Sequence, residues 1–309
     1  LAGDAAFLER FRAVKHANKI ALARVVAERL GTSLDPAAFF DVQIKRIHEY
    51  KRQLLNLLQT VSLYNAMRAH PSRDWTPQVK IFSGKAAAGY HQAKLVSKLA
   101  NDIARVVNGD PSLRGLLKVV FLPNYNVSLA ESIIPAADLS EQISTAGMEA
   151  SGTGNMKLSL NGALTLGTLD GANIEILERV GAQNMFIFGL TAEEVAARRA
   201  RGLDMSAEIA ASHRLAEVLA ALADGQFSPD DRGRYKALVQ GLRHHDFFMV
   251  CADFDAYCPA QKSVATLWRD PQAWSRKAAF NTAGMGWFSS DRAILDYARE
   301  IWNAVPRPA

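Results

Sequence analysis

Helical stretches alternate with short apolar runs along this chain of 309 residues, and that alternation restricts the fold more than any other feature. Residues 4–29 have the pattern of an amphipathic helix that ends at Gly31. Apolar runs at 39–44, 79–82 and 118–122 are each followed by a helical stretch. This βαβ rhythm is typical of a parallel sheet covered by helices on both faces. The chain is therefore predicted to form an α/β, Rossmann-like domain.

The second half of the chain is predicted to end in a mostly helical tail, residues 190–309. One further strand is predicted at 185–188. The segment 191–194 (TAEE) matches a capping box and predicts that a helix begins there. Asp-Pro at 270–271 and Ser-Ser-Asp at 289–291 predict two more helix starts.

Composition excludes several functional classes. Hydrophobic residues make up 49% of the chain and charged residues 22%, which is ordinary for a globular protein. The net charge of +5 is spread along the chain among acidic residues, so nucleic acid is not an expected partner. No run reaches the ~18 apolar residues of a transmembrane helix, and no membrane association is expected. Cys251 and Cys258 lack metal-ligand spacing and are expected to be buried free thiols in a reducing cytoplasm.

A glycine-rich turn precedes a lone lysine in the segment 149–157 (EASGTGNMK). Gly152 and Gly154 can adopt positive φ and turn successive N–H groups toward phosphate oxygens, and the two hydroxyl side chains of the turn add donors. Lys157 falls in a short helix predicted at 155–160, whose N-terminal end favours an anion. The segment therefore indicates a phosphorylated ligand. A dinucleotide fingerprint would need glycine at position 157. The segment 83–86 (SGKA) is not a Walker loop, because Val79 stands at the first glycine position and Ala86 replaces Ser or Thr.

A second cluster, residues 45–52 (KRIHEYKR), places five potential cations before a helix predicted at 53–68. The helix dipole disfavours each cation at that end by roughly 0.3–1 kcal/mol, so the sequence breaks a local rule. A bound anion would compensate. The alternative is a solvated basic face, but the interleaved Ile47 and Tyr50 argue against full solvation.

Together these segments resemble a known family. Residues 41–56 (DVQIKRIHEYKRQLLN) and 149–157 closely resemble the C-terminal half of the α-glucan phosphorylases, which include the glycogen, starch and maltodextrin enzymes. Further family-like segments are 82–91 (FSGKAAAGYH), 134–146 (IPAADLSEQISTA), 161–175 (NGALTLGTLDGANIE) and 289–302 (SSDRAILDYAREIW). The resemblance covers essentially the whole chain. Because the sequence starts inside the family pattern without an initiator Met, residues 1–309 are expected to be a single C-terminal, cofactor-binding domain without its N-terminal domain.

The resemblance implies both a fold and an activity. The fold would be the C-terminal lobe of a GT-B type glycosyltransferase, with catalysis in the cleft between two lobes. The reaction would be pyridoxal 5′-phosphate-dependent phosphorolysis of α-1,4-glucan by inorganic phosphate, giving glucose 1-phosphate with retention of configuration. The full-length enzyme is expected to be a cytoplasmic homodimer, and the fragment alone is expected to be inactive.

The resemblance also assigns roles to residues. Lys157 would form a Schiff base with pyridoxal 5′-phosphate, a role that suits a buried lysine with a lowered pKa. The implied cofactor-binding residues are Lys157, Lys45, Gly152, Thr153, Gly154, Tyr125, Asn126 and Val127. Position 126 departs from muscle-type members, which have Arg there, so backbone contact is expected instead of a charge contact. The implied substrate-binding residues are Arg46, Lys51, Tyr50, Glu149, Ser151 and Gly152, and the catalytic set is Lys51, Arg46 and Lys157.

Alternatives remain open from other classes. A nucleotide-sugar glycosyltransferase could share the two-lobed fold, and a non-catalytic binding module would suit a chain that holds half of a cleft. No metal site is expected, because adjacent histidines at 244–245 point in different directions on a helix. His48 is expected to serve as a structural hydrogen-bonding group, and Tyr90 and His91 are not assigned to the site.

Overall fold

Six parallel strands form the centre of the structure, a computed structural model in which residues 1–305 are described. The strands are β1 (Phe39–Ile44), β2 (Gln78–Ser83), β3 (Leu117–Leu122), β4 (Leu139–Gln142), β5 (Leu164–Gly167) and β6 (Phe186–Ile187). Their order in the sheet is β3-β2-β1-β4-β5-β6. The order reverses between β1 and β4, and such a reversal leaves a crevice at the carboxyl ends of the two strands.

Thirteen α-helices are present in residues 1–305. They are α1 (Ala5–Leu30), α2 (Gln53–Ala69), α3 (His91–Gly109), α4 (Val127–Ala136), α5 (Gly154–Leu160), α6 (Ala172–Val180), α7 (Ala192–Arg201), α8 (Met205–Ala211), α9 (His213–Ala223), α10 (Lys236–His244), α11 (Phe254–Trp268), α12 (Pro271–Gly284) and α13 (Ser290–Glu300). Short 3₁₀ turns lie at Glu49–Lys51, Pro111–Leu113, Ala182–Asn184 and Met285–Phe288.

Helices cover both faces of the sheet, as the sequence predicts. Successive residues of β1 point to opposite faces. Phe39 packs with α2, α3, α9 and α11 in one apolar cluster, whereas Phe40 packs with α1 and α4 in another. Both side chains are fully buried. Each cluster supplies the apolar burial that holds its layer of helices to the sheet.

The predicted helix starts of the C-terminal region are confirmed. The Thr191 hydroxyl accepts from the N–H of Glu194, whose carboxylate accepts from the N–H of Thr191, so the capping box forms. Asp270 caps α12, and Ser289 precedes α13. These helices complete the domain, since α9 and α11 contact α2 and α12 contacts α1 and α5. Positions 306–309 of the predicted tail lie outside the described residues.

Other sequence predictions are confirmed in part. The helix predicted at 4–29 forms and ends at Gly31, which has φ 62°. The strand predicted at 185–188 is only two residues long, and β4 and β5 were not foreseen. Cys251 and Cys258 are free and buried, and burial raises the pKa of both thiols. In the part of the chain that the structure describes, no helix has the length and apolar character needed to cross a bilayer.

Candidate active site

A cleft of about 920 Å³ opens at the carboxyl ends of β1 and β4, where the strand order reverses. Every residue that the sequence places in the site lines this cleft, except Tyr50. The lining residues include Lys45, Arg46, Lys51, Tyr125, Asn126, Val127, Glu149, Ser151, Gly152, Thr153, Gly154 and Lys157. Segments about a hundred residues apart in sequence therefore meet in one cleft.

The basic segment is held beside β2 after β1 ends. The N–H of Lys45 donates to the carbonyl of Ser83, and the N–H of Ile47 donates to the carbonyl of Lys85, both at 3.1 Å. A Cβ on Gly84 would overlap with the carbonyl oxygen of Lys45, so only glycine permits this approach. These two backbone hydrogen bonds fix the path of residues 45–47, and so the place where the side chains of Lys45 and Arg46 enter the cleft.

Lys45 spans the gap between the two strands at the reversal. Its ammonium donates to Oε1 of Gln142, the last residue of β4, at 2.7 Å. Because that partner is neutral, burial and then the charge of Lys51 lower the pKa of Lys45 to about 8. A bound anion would offset both effects. The cleft is therefore electrostatically prepared for a negative ligand.

Lys51, Glu149 and Tyr50 form a contact group at one wall of the cleft. The Lys51 ammonium makes an ion pair with Glu149 and lies 4.5 Å from the centre of the Tyr50 ring. The Tyr50 hydroxyl donates toward both carboxylate oxygens of Glu149 at 3.3 Å. Burial lowers the pKa of Lys51, but the hydrogen bonds and charge of Glu149 and Tyr50 outweigh it, and the pKa is raised. The implied phosphate-binding and sugar-binding groups are thus in direct contact.

Arg46 and His48 differ in their surroundings. Arg46 is exposed, and within residues 1–305 no carboxylate lies at salt-bridge distance from its guanidinium. Its carbonyl accepts from Gln53 at 3.0 Å, which fixes the backbone. His48 accepts from the N–H of Tyr50 at 3.4 Å and packs edge-on against Tyr50 and Tyr90. His48 therefore begins the 3₁₀ turn as a hydrogen-bond acceptor.

The glycine turn forms, but with one positive φ instead of two. Gly152 has φ 80°, whereas Gly154 is the first residue of α5. The expectation for Gly154 is wrong because a residue inside a helix needs negative φ. The Ser151 hydroxyl donates to the carbonyl of Gly152 at 2.9 Å, so it closes the turn and its proton is already used. Thr153 is exposed.

Lys157 lies on the open side of α5 and lines the cleft. The expectation of a buried lysine is wrong: its side chain is exposed. The reason is the orientation of this short helix, which buries Asn155, Leu158 and Ser159 instead. The Lys157 amine is therefore accessible from the cleft.

The segment before α4 forms the opposite wall. Asn126 caps α4, with its Oδ1 accepting from the N–H of Leu129 at 2.9 Å. Its Oδ1 is used by this cap, and a backbone role for Asn126 toward the cofactor stays a prediction. Val127 is 76% exposed, which is high for an apolar residue. Tyr125 is half-buried beside it, and burial raises its pKa. Tyr125 and Val127 give the cleft a partly apolar wall.

Asp170 and Gly171 position the glutamate-bearing loop, and the sequence did not assign them a role. Asp170 is buried, and its carboxylate accepts from the hydroxyl of Ser144 at 2.7 Å and from two N–H groups, Gly147 at 3.0 Å and Glu149 at 2.9 Å. Gly171 has φ 53°, and a Cβ there would lie 2.6 Å from the carbonyl oxygen of Ser151. Both residues lie in segment 161–175, whose resemblance to the family was the feature of the sequence that could have pointed to them.

Arg52 holds the same loop from the other side. It has φ 56° and is fully buried, unlike the solvated cation that a basic run suggests. Its Nε donates to the carbonyl of Ile143 at 2.7 Å, and its Nη1 pairs with Asp253 at 2.6 Å. Arg52 therefore joins the start of α2 to the loop after β4 and to the start of α11.

The histidine pair at 244–245 does not meet a metal-binding group. Within residues 1–305, no three His, Cys, Asp or Glu side chains are arranged to hold a metal ion. Asp246 instead accepts from the N–H groups of Val250 and Cys251 at 2.7 Å. It is a structural cap for that turn.

Comparison with known proteins shows the family of this chain. The family model for carbohydrate phosphorylases matches residues 1–304. The chain is 52% identical over 305 residues to a glycogen phosphorylase of Haemophilus influenzae, covering 99% of this chain and 37% of the relative. It is 50% identical over 309 residues to a glycogen phosphorylase of Chlamydia trachomatis, covering all of this chain and 38% of the relative. It is 48% identical over 306 residues to the human brain form of glycogen phosphorylase, covering 99% of this chain and 36% of the relative.

The chain thus spans little more than a third of the length of the curated relatives it matches. The match extends over nearly all of the described residues, including the basic segment, the glycine turn and the loops that position them. The chain belongs to the carbohydrate phosphorylase family.

Proposed function

We propose that the full-length protein phosphorolyses α-1,4-glucan to glucose 1-phosphate with retention of configuration. This chain would contribute the cofactor-binding half of the cleft, and an N-terminal domain of the full-length protein would contribute the other half. One observation carries the proposal: a basic segment, a glycine turn and an accessible lysine line a single cleft. The relatives named glycogen phosphorylase give the reaction class.

The cleft residues fit pyridoxal 5′-phosphate as the cofactor. Lys157 presents an accessible amine for covalent attachment, and Tyr125 and Val127 offer a partly apolar wall for a planar ring. Lys45, with its lowered pKa and neutral partner, fits the cofactor phosphate together with the turn at 152–154. When bound, the cofactor would supply a phosphate group that exchanges a proton with the substrate phosphate.

The basic segment would hold two anions close together. Arg46 and Lys51 would bind substrate phosphate while Lys45 binds the cofactor phosphate. Adjacent phosphates repel each other strongly in a cleft of low dielectric, so several fixed cations are required there. Lys45, Arg46 and Lys51 come from one segment and line one cleft, which supports this role.

The contact group at the other wall would orient the glucosyl residue. Glu149, Tyr50, Ser151 and Gly152 would contact its hydroxyls. Because Glu149 is paired with Lys51, a sugar hydroxyl bound to Glu149 would be placed beside the cation that binds phosphate. This arrangement would bring the attacking phosphate and the glycosidic carbon into register.

Two rival functions make different predictions. A nucleotide-sugar glycosyltransferase would have no use for covalent attachment at Lys157, and a binding module would hold ligand without turnover.

We also propose that the full-length enzyme is a cytoplasmic homodimer with neither nucleic acid nor membrane as partner. Residues 1–309 alone should show no phosphorolysis, because the reacting groups would come from two lobes.

Covalent labelling tests the proposal. Purified chain mixed with pyridoxal 5′-phosphate and reduced with borohydride should gain one pyridoxyl group, located at Lys157 by peptide mass. Lys157→Arg keeps the charge but cannot be labelled in this way, and it should lose the site-specific adduct. Labelling spread over surface lysines, with equal yield in Lys157→Arg, would contradict the cofactor assignment.

A further inference from the structure

Two acidic side chains meet on one face of the sheet, just below the end of β4. Asp41 of β1 and Glu141 of β4 are both buried, and they lie under α11. The strand register explains the meeting. Asp41 is opposite Lys80 of β2 and Leu139 of β4, and side chains two residues apart on a strand share a face, so Glu141 points the same way.

The donors around this pair leave two of its four carboxyl oxygens without a hydrogen bond. The Lys80 ammonium donates to Oδ2 of Asp41 at 2.5 Å. The Gln261 amide of α11 donates to the same oxygen at 3.1 Å and also to Oε1 of Glu141. Within residues 1–305, Oδ1 of Asp41 and Oε2 of Glu141 are buried and have no donor. Buried acceptors are normally satisfied, so the pair lacks a proton donor.

The charges of the buried groups do not balance either. Lys80 contributes one positive charge, whereas two ionised carboxyls would contribute two negative charges. In the described part of the chain, no cation lies at salt-bridge distance from Glu141. A buried carboxylate without a partner is so unfavourable that it takes up a proton instead. One proton on the pair would therefore balance the charge and supply the missing donor.

The surroundings place this proton on Glu141. Asp41 has the ammonium of Lys80 beside it, which favours its ionised form. Burial and then the charge of Asp41 raise the pKa of Glu141, and Lys80 opposes them less strongly. The other titratable groups that act on Glu141 are Tyr257 of α11, which burial keeps neutral by raising its pKa, and Lys45 beyond the end of β1.

We propose that Glu141 is protonated and donates to Asp41, so that one shared proton joins β4 to β1 beneath the catalytic cleft. The backbone register between these strands is short, with two residue pairs against six between β1 and β2. The next residue of β4, Gln142, accepts from the Lys45 ammonium at 2.7 Å. Glu141 is thus a positioning residue for Lys45, and this role rests on the proposed function.

Infrared difference spectroscopy of the chain at pH 7 tests the shared proton without cofactor or turnover. A protonated carboxyl has a C=O stretch that is separate from the carboxylate bands. We expect this band in wild type and its loss in Glu141→Gln, which keeps the size and the hydrogen-bond donor of a neutral Glu141.

Stability measured across pH gives a second test of the same proton. Glu141 would hold its proton in the folded state and release it on unfolding. From about pH 5 to 7, the ratio of folded to unfolded chain should therefore fall about tenfold for each pH unit in wild type, relative to Glu141→Gln. Absence of the acid band, or the same pH dependence in both proteins, would overturn the proposal.

Affinity for pyridoxal 5′-phosphate at pH 7 tests the positioning role. Glu141→Leu cannot donate to Asp41 and should bind the cofactor about tenfold more weakly, whereas Glu141→Gln should bind it as wild type does. Val264→Ala is the control, because it removes buried methyl groups from α11 and should lower stability without changing affinity. Equal affinity in wild type and Glu141→Leu would overturn the positioning role. Failure of wild type to bind the cofactor would instead refute the proposed function, and the infrared band would still decide the shared proton.

Discussion

Asp170→Asn should loosen the loop that carries Glu149. In the structure, Oδ1 of Asp170 accepts from the N–H of Gly147, and Oδ2 accepts from the Ser144 hydroxyl and the N–H of Glu149. An asparagine has the same shape but only one acceptor oxygen. In either amide orientation, a backbone N–H that now donates to a carboxylate would face an NH₂ group.

The size of the effect follows from these contacts. A hydrogen bond to a charged group contributes about 1.5–3 kcal/mol, and a buried donor left unpaired costs about 1–3 kcal/mol. Asp170→Asn weakens all three bonds and leaves at least one donor unpaired, so we expect a loss of about 2–4 kcal/mol in the free energy of unfolding. Ser144→Ala is the matched control, because it removes one donor and should cost about 1 kcal/mol.

Urea unfolding of the chain measures the stability, and kinetics of the full-length enzyme measure the function. We expect kcat/KM for phosphorolysis to fall about tenfold or more in Asp170→Asn, while covalent cofactor labelling at Lys157 remains near normal. The reasoning would be refuted if Asp170→Asn cost less than Ser144→Ala. It would also be refuted if kcat/KM stayed at the wild-type value.

Three further perturbations test other parts of the fold and site. Lys80→Met should lower the free energy of unfolding by about 3–5 kcal/mol, because it leaves Asp41 buried without the ammonium that lies 2.5 Å away. In urea unfolding, the double variant with Asp41→Asn should recover much of this loss. Raising the pH from 7 to 9 deprotonates Lys45, whose pKa is about 8, so affinity for the cofactor phosphate should fall about tenfold after correction for phosphate ionisation. Titration calorimetry with pyridoxal 5′-phosphate should show a flatter pH profile for Lys45→Arg. Gly171→Ala places a Cβ 2.6 Å from the Ser151 carbonyl at a positive φ, and should cost at least about 1–3 kcal/mol by thermal unfolding.

The sequence predicts the parallel sheet and several of its helix starts because these depend on local patterns. β1 and the helix that follows the basic segment appear where the apolar run at 39–44 and the helix at 53–68 were expected. Capping at Thr191 depends on side chains three residues apart. The site residues could be assigned because two long motifs resemble a family, and the structure brings those motifs into one cleft.

The strand β4 was missed because its sequence, Leu-Ser-Glu-Gln, has only one apolar residue. All four residues are buried nevertheless. Glu141 contacts Gln261 of α11, and burial together with the charge of Asp41 raises its pKa. Gln142 accepts from Lys45. Gln261 and Lys45, which lie far away in the sequence, thus supply donors to two of these buried polar side chains.

Arg52, beside the site, is a second case in which the sequence could not predict a residue's surroundings. In the sequence it is one more cation in a basic run, and nothing nearby distinguishes it from Arg46. In the structure Arg46 is exposed at the cleft, whereas Arg52 is fully buried and pairs with Asp253, 201 residues later. A buried arginine is tolerated only when its donors are matched, and here a carboxylate and carbonyls of the loop after β4 accept them. The basic segment therefore contains cations of two kinds, those available to anions and one that anchors the helix behind them.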